Sequence, residues 1–225
     1  MSYLLTDGES AVLWQRTSLK TTPRFLWHGP FSDAPVPAGA LHVLLHHPQT
    51  YIQFSNAQET ARPLPGFVYD QTAFDDKLWL TAAVPEALSR GVLETCRHKK
   101  IRTGRVLRMD AVEHVLARYF YAQTTVLQTP LWVLFPQGKR IAQGLRLFIF
   151  ADGGAHAFFF SAQPEAAHHA LERIAATHPL PAEVHLLADD TADGTFSAAL
   201  AFLKERGTPV FANHSFLGMV AEAAR

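Results

Sequence analysis

Twelve histidines invite a search for a metal site, and two pairs of them are adjacent, His46-His47 and His168-His169. Adjacent side chains point to opposite faces of a strand and about 100° apart on a helix, so neither pair offers two ligands to one ion. No HExxH or comparable spacing occurs, and the expectation is surface or capping histidines with no metal held. Cys96 follows Leu88 and Val92 at helical spacing, which places it on an apolar face as a core residue rather than a nucleophile. No Gly-x-Ser-x-Gly elbow is present for acyl transfer. The strongest local charge is a run without an acid, Arg97, Lys99, Lys100, Arg102, Arg105 and Arg108. Such a run after a helix reads either as a solvated turn that complements the helix dipole or as a docking patch for an acidic partner, anionic lipid or nucleic acid. Arg97, Lys99, Lys100 and Arg102 are its candidate partner-binding residues. No aromatics interleave with it, which weighs against nucleic acid. Phe158-Phe159-Phe160 and Tyr119-Phe120-Tyr121 read as core with one ring turned outward.

These residues must be positioned by a chain of 225 residues, 48% hydrophobic and 18% charged, with zero formal net charge. That composition fits a globular protein, as one large domain or two lobes of about 100 residues each. A neutral total draws the whole molecule to neither nucleic acid nor an anionic membrane. One cysteine excludes an intrachain disulfide and a multi-cysteine zinc site and suits a reducing compartment, so the expected location is the cytoplasm. The opening residues, Met1 to Asp7, have neither the basic start nor the apolar run of an export signal. The longest apolar runs, such as Leu145 to Ala151, stop far short of the ~20 residues of a membrane-spanning helix.

Tyr3 to Thr6 and Ala11 to Gln15 flank Asp7-Gly8, a dipeptide that favours a tight hairpin, and Arg24 to His28 reads as a third strand. A Pro/Gly-rich connector, Gly29 to Gly39, leads to Leu41 to Leu45, a continuous apolar strand buried on both faces. Asn56 to Asp76, with Pro63, Pro65 and Gly66, reads mostly as loop. Lys77 to Ala83 is a strand that meets Pro85 as the first residue of a helix. Arg105 to Met109 returns as a strand, and Asp110 with Glu113 reads as an acidic capping box before Val112, Val115, Leu116 and Tyr119. That helix fades near Gln123-Thr124-Thr125. Beyond it come strands at Leu131 to Phe135, Leu145 to Phe150 and His156 to Phe160. Helices marked by Ala167/Leu171/Ile174, by Phe196/Ala199/Leu203 ending at Gly207, and by Phe216/Met219/Val220 after a Ser215 cap then alternate with strands at Val184 to Ala188 and Pro209 to Ala212.

Three hairpin-linked strands followed by alternating helices and strands resemble the ribonuclease H-like lobe from which actin-like proteins are built in tandem. Within that class, Leu78-Trp79-Leu80-Thr81-Ala82-Ala83-Val84-Pro85-Glu86-Ala87-Leu88 and Gly104 to His114 resemble the actin-like cytoplasmic components of type IV pilus and type II secretion machines, the PilM and GspL types. The resemblance implies an α/β fold of two lobes, a degenerate N-terminal one over 1–125 and a C-terminal one over 126–225. Actin-like ATPases place a phosphate loop between the first two strands of each lobe. Thr6-Asp7-Gly8-Glu9-Ser10 lacks its further glycine and lysine, and Phe135-Pro136-Gln137-Gly138-Lys139 lacks its aspartate. Asp7 and Gly8 are the weak nucleotide candidates that remain, since Asp152-Gly153-Gly154 falls in the following turn. A ribonuclease H-type nuclease would need clustered carboxylates for two metals. Asp7 sits where the first would be, but the other strand ends carry His46 and Met109-Asp110, and Asp189, Asp190 and Asp193 read as a solvated loop.

The resemblance therefore implies a non-catalytic scaffold without a cofactor. Its partners would be a membrane subunit, an assembly ATPase or both, with a homodimer left open. The alternatives are an actin-like ATPase with non-standard loops and a ribonuclease H-like nucleic-acid-binding module.

Overall fold

The computed structural model describes residues 1–17, 22–37, 39–56, 65–76, 78–99, 106–127, 129–136, 144–151, 154–181, 183–188, 196–207 and 210–224. In chain order the first lobe runs β1 (Ser2–Thr6), β2 (Ser10–Gln15), β3 (Arg24–Pro30), a 3-10 turn at Phe31–Asp33, β4 (Leu41–Leu45), β5 (Tyr51–Ser55), β6 (Phe67–Ala73), β7 (Trp79–Pro85), α1 (Glu86–His98), β8 (Val106–Ala111) and α2 (Val112–Leu127). The second runs β9 (Leu131–Pro136), β10 (Gly144–Ala151), β11 (Gly154–Ser161), α3 (Pro164–Ala175), β12 (Glu183–Leu187), α4 (Ser197–Glu205), β13 (Val210–His214) and α5 (Phe216–Ala223).

Two five-stranded sheets repeat one topology, β3-β2-β1-β4-β8 and β11-β10-β9-β12-β13. In each, the first three strands are antiparallel and the last two add in parallel to the first. That is the order the resemblance implies, present twice. In the first lobe the helix that should join β3 to β4 is reduced to the 3-10 turn, as the Pro/Gly connector suggested. β5, β7 and β6 form a separate three-stranded antiparallel sheet inserted after β4.

Side-chain alternation along the strands explains the layering. Tyr3 and Leu5 leave one side of β1 and Leu4 the other, and all three are buried because both sheet faces are covered. The inner faces of the two sheets enclose α2 and α5, so Leu5, Leu44, Val133 and Phe148 share one core with Phe120 and Val220. α1 covers the outer face of the first sheet through Val92 and Cys96. α3 and α4 cover the outer face of the second through Leu171 and Phe202. Cys96 is 2% exposed, the core position its spacing indicated. Phe159 is the ring turned outward, at 57%, between partly or fully buried Phe158 and Phe160.

Three expectations are corrected. Asn56 to Asp76, read as mostly loop, contains the strand β6 at Phe67–Ala73, while 57–64 lie outside the described residues. α2 does not fade at Gln123 but continues to Leu127. Asp110 and Glu113 form no capping box: Asp110 lies within β8, opposite Leu44, and Glu113 is fully buried.

Candidate functional site

The resemblance directs attention to the β1–β2 turn. Gly8 takes φ +95°, a conformation that favours glycine, and a Cβ there would stand 2.8 Å from Leu88 Cδ1, the far end of an α1 side chain that would have to shift. Asp7 is bent back on its own hairpin. Its Oδ1 accepts from the backbone N–H groups of Glu9 at 2.9 Å and Ser10 at 2.7 Å, and Ser10 Oγ donates to Oδ2 at 3.1 Å. Thr6 Oγ1 donates to the Ser10 carbonyl and accepts from Gly8 N–H. The carboxylate expected to organise a metal thus serves as the turn's own acceptor.

Beside this turn is a concavity of about 270 Å³, counting space open to solvent, lined by Leu5, Thr6, Asp7, Ser10, His46 and Phe216. Its floor joins the lobes: His46 Nε2 lies 3.3 Å from the Pro136 carbonyl, and the imidazole tilts over Phe216 at 4.7 Å. The concavity's enclosed space is only about 20 Å³, against about 300–1,000 Å³ for cavities that hold drug-sized ligands, so the described residues form no nucleotide-sized cleft here. Gln137, Gly138 and Lys139, the second lobe's equivalent turn, lie outside the described residues, as do Asp152, Gly153, Asp189, Asp190 and Asp193.

Among the described residues, two ion pairs stitch the lobes. Arg146, on the inner face of β10, places Nε 3.2 Å from Glu113 Oε1 on α2, and its Nη2 donates to the Thr50 carbonyl between β4 and β5. Burial pushes the Glu113 carboxyl up, with Arg146 opposing. Arg16, 4% exposed after β2, donates from Nη2 to Glu222 on α5 at 2.9 Å.

A third polar group sits where β4, β6, β8 and α2 meet. Asp110 Oδ2 receives His42 Nε2 at 2.8 Å and Arg108 Nε at 2.5 Å. Burial pushes the Asp110 carboxyl up, but His42 and Arg108 outweigh it and leave it below the usual carboxylate range. His114 Nδ1 lies 3.8 Å from the other oxygen, Oδ1, and 3.6 Å from Asp70 Oδ2 on β6. Residue-type reasoning missed this group, and the expectation of surface or capping histidines is corrected here: His42, His46 and His114 are 5%, 3% and 1% exposed.

The cationic run is split by the fold. Lys99 Nζ donates to the Ala34 carbonyl at 2.8 Å, tying the end of α1 to the connector, and Arg108 is drawn to Asp110. Arg97 is exposed near the end of α1, while Lys100, Arg102 and Arg105 lie outside the described residues.

No protein-family model matches the chain, and no curated protein matches it. Solved structures do. A Bacteroides thetaiotaomicron protein with an actin-like ATPase fold and unknown function is similar with a TM-score of 0.68 at 10% identity, covering 100% of this chain and 95% of that one. The cytoplasmic domain of EpsL, an inner membrane component of the type II secretion system of Vibrio cholerae, gives 0.51 at 10% identity over 100% and 94%. The chain has the actin-like fold, two lobes of one topology with mixed sheets and flanking helices. Among the described residues no helix is long and apolar enough to cross a membrane.

Proposed function

We propose that this chain is a non-catalytic, cytoplasmic scaffold of a bacterial envelope machine of the pilus or secretion kind, with lobes over 1–125 and 126–225. Its partners are a membrane subunit, an assembly ATPase, or both. The observation that carries the reading is Asp7: both lobes have the sheet order of the actin-like fold, yet the acid at the nucleotide position is bonded within its own turn. The likeness to the EpsL cytoplasmic domain supports the setting. Arg97, Lys99, Lys100 and Arg102 are the proposed docking residues, with Lys99 acting through its bond to Ala34 as well as through charge.

Calorimetry with Mg-ATP, paired with affinity capture from the source cell, tests the proposal. The expected outcome is no ATP binding or turnover by wild type, and capture of an envelope component that weakens with salt and with Arg97→Glu/Lys100→Glu/Arg102→Glu, because rim charges act on the encounter rate. Micromolar ATP affinity abolished by Asp7→Ala would establish an actin-like ATPase instead. A catch consisting only of ribosomes or nucleic acid would also overturn the scaffold reading.

A further inference from the structure

His114 is 1% exposed, and neither ring nitrogen makes a hydrogen bond among the described residues. A buried polar nitrogen left so loses the hydrogen bonds it makes in water, and such a group in a native fold calls for an explanation. Its Nδ1 is aimed between two carboxylate oxygens, at 3.6 Å from Asp70 and 3.8 Å from Asp110. Those separations are too long for hydrogen bonds, yet one ligand atom from each of the three residues falls within 4.8 Å of the others.

We propose that Asp70, Asp110 and His114 bind one divalent transition-metal ion, which clips the inserted sheet to the first lobe. One imidazole and two carboxylates make a donor set of the zinc and manganese type, with water completing the shell. The division of labour at Asp110 fits it: His42 and Arg108 hold Oδ2, leaving Oδ1 directed toward His114. Holding a ligating carboxylate by hydrogen bonds to its second oxygen is how proteins orient metal ligands. Of the cations nearby, Arg108 is already engaged with Asp110 and Arg118 is on the exposed side of α2, so two carboxylates face one engaged guanidinium at the centre. Ligand distances of about 2.0–2.2 Å require the donors to draw together, and the side chain with room to move is Asp70, 60% exposed on β6. Because Asp70 belongs to the insert while Asp110 and His114 belong to β8 and α2, closing on an ion fastens one sheet to the other.

Titration of the metal-stripped full chain with Zn²⁺ tests this, with Asp70→Asn as the deciding variant because an exposed side chain leaves the fold intact. A His168→Ala/His169→Ala protein controls for surface histidines. Wild type and control should share one site that Asp70→Asn weakens at least tenfold, and His114→Gln should abolish it if that variant folds. Amide exchange along β6 should slow with Zn²⁺ in wild type and not in Asp70→Asn. Zn²⁺ stoichiometry and affinity unchanged in Asp70→Asn, or no binding by wild type, would overturn the site. Binding that leaves β6 exchange unaltered would overturn the clip.

Discussion

His185 faces inward from β12, its ring stacked on His214 at 5.1 Å and edge-on to Phe120 at 5.2 Å, with Glu183 3.6 Å away. Burial pushes its pKa below the usual 6.5, helped by His214 and opposed by Glu183. The unfolded chain therefore takes up this proton more readily than the fold, and stability declines as pH falls below about 6.5 toward the folded value. His47 and His156 act in the same direction, and Glu113, pushed up, in the opposite one from about pH 4.5 upward. The expected outcome is a urea midpoint lower at pH 5 than at pH 7, with part of that difference lost in His185→Gln; identical pH slopes would show that His185 titrates in the fold as it does in the open chain. Single residues were unevenly legible. Cys96 was placed by periodicity alone, because Leu88 and Val92 share its helix face. Asp7 was located as a hairpin tip, but what its carboxylate bonds to is set by the turn's geometry, which residue type does not specify. His114 was invisible, since Asp110 and Asp70 reach it from two further elements, one of them in a stretch read as loop.

The helices followed from spacing because each buries a stripe, and the start of α5 followed from its cap. Ser215 precedes α5, and its Oγ accepts from the Gly218 N–H at 3.1 Å. An eight-residue helix has little stability of its own, so its cap matters to the layer it fills between the sheets. Ser215→Ala is expected to lower unfolding free energy by about 1 kcal/mol, measured by chemical denaturation, and Ser215→Asn to restore most of it. β6 failed to show itself for the converse reason. It belongs to a sheet that is half open to solvent, so Phe67 to Ala73 alternate between intermediate and exposed positions and carry no apolar run. The false capping box is instructive as well. Asp followed by Glu three residues later matches the pattern, but here Asp110 still pairs along β8 while Glu113 turns toward Arg146, a partner on a strand of the other lobe. A contact between residues that far apart leaves no local trace.

At the scale of the molecule, the twofold repeat of one sheet order was legible as a succession of elements, whereas the seam between the copies was not. That seam is mostly apolar, and into it the chain sets Glu113 and Arg146, both nearly or wholly buried. A buried pair of this kind adds little net stability over an apolar substitute, but removing one partner strands a charge at a cost of about 3–5 kcal/mol. Glu113→Ala is therefore expected to destabilise by that amount, and so is Arg146→Ala, which also deprives the Thr50 carbonyl of its donor. Glu113→Leu/Arg146→Met should cost less than either single change, since no charge is left unpaired. The reporter for each lobe is already present: Trp14 and Trp132 are both fully buried, one in each sheet. With the other tryptophans replaced by phenylalanine, a variant retaining only Trp14 and another retaining only Trp132 can be unfolded in parallel. Because the pair joins α2 to β10 across the shared core, Glu113→Ala should shift both probes together and by the same free energy. A shift confined to the Trp14 probe would mean that the lobes unfold independently and that the seam is an interface between two stable bodies rather than one cooperative core.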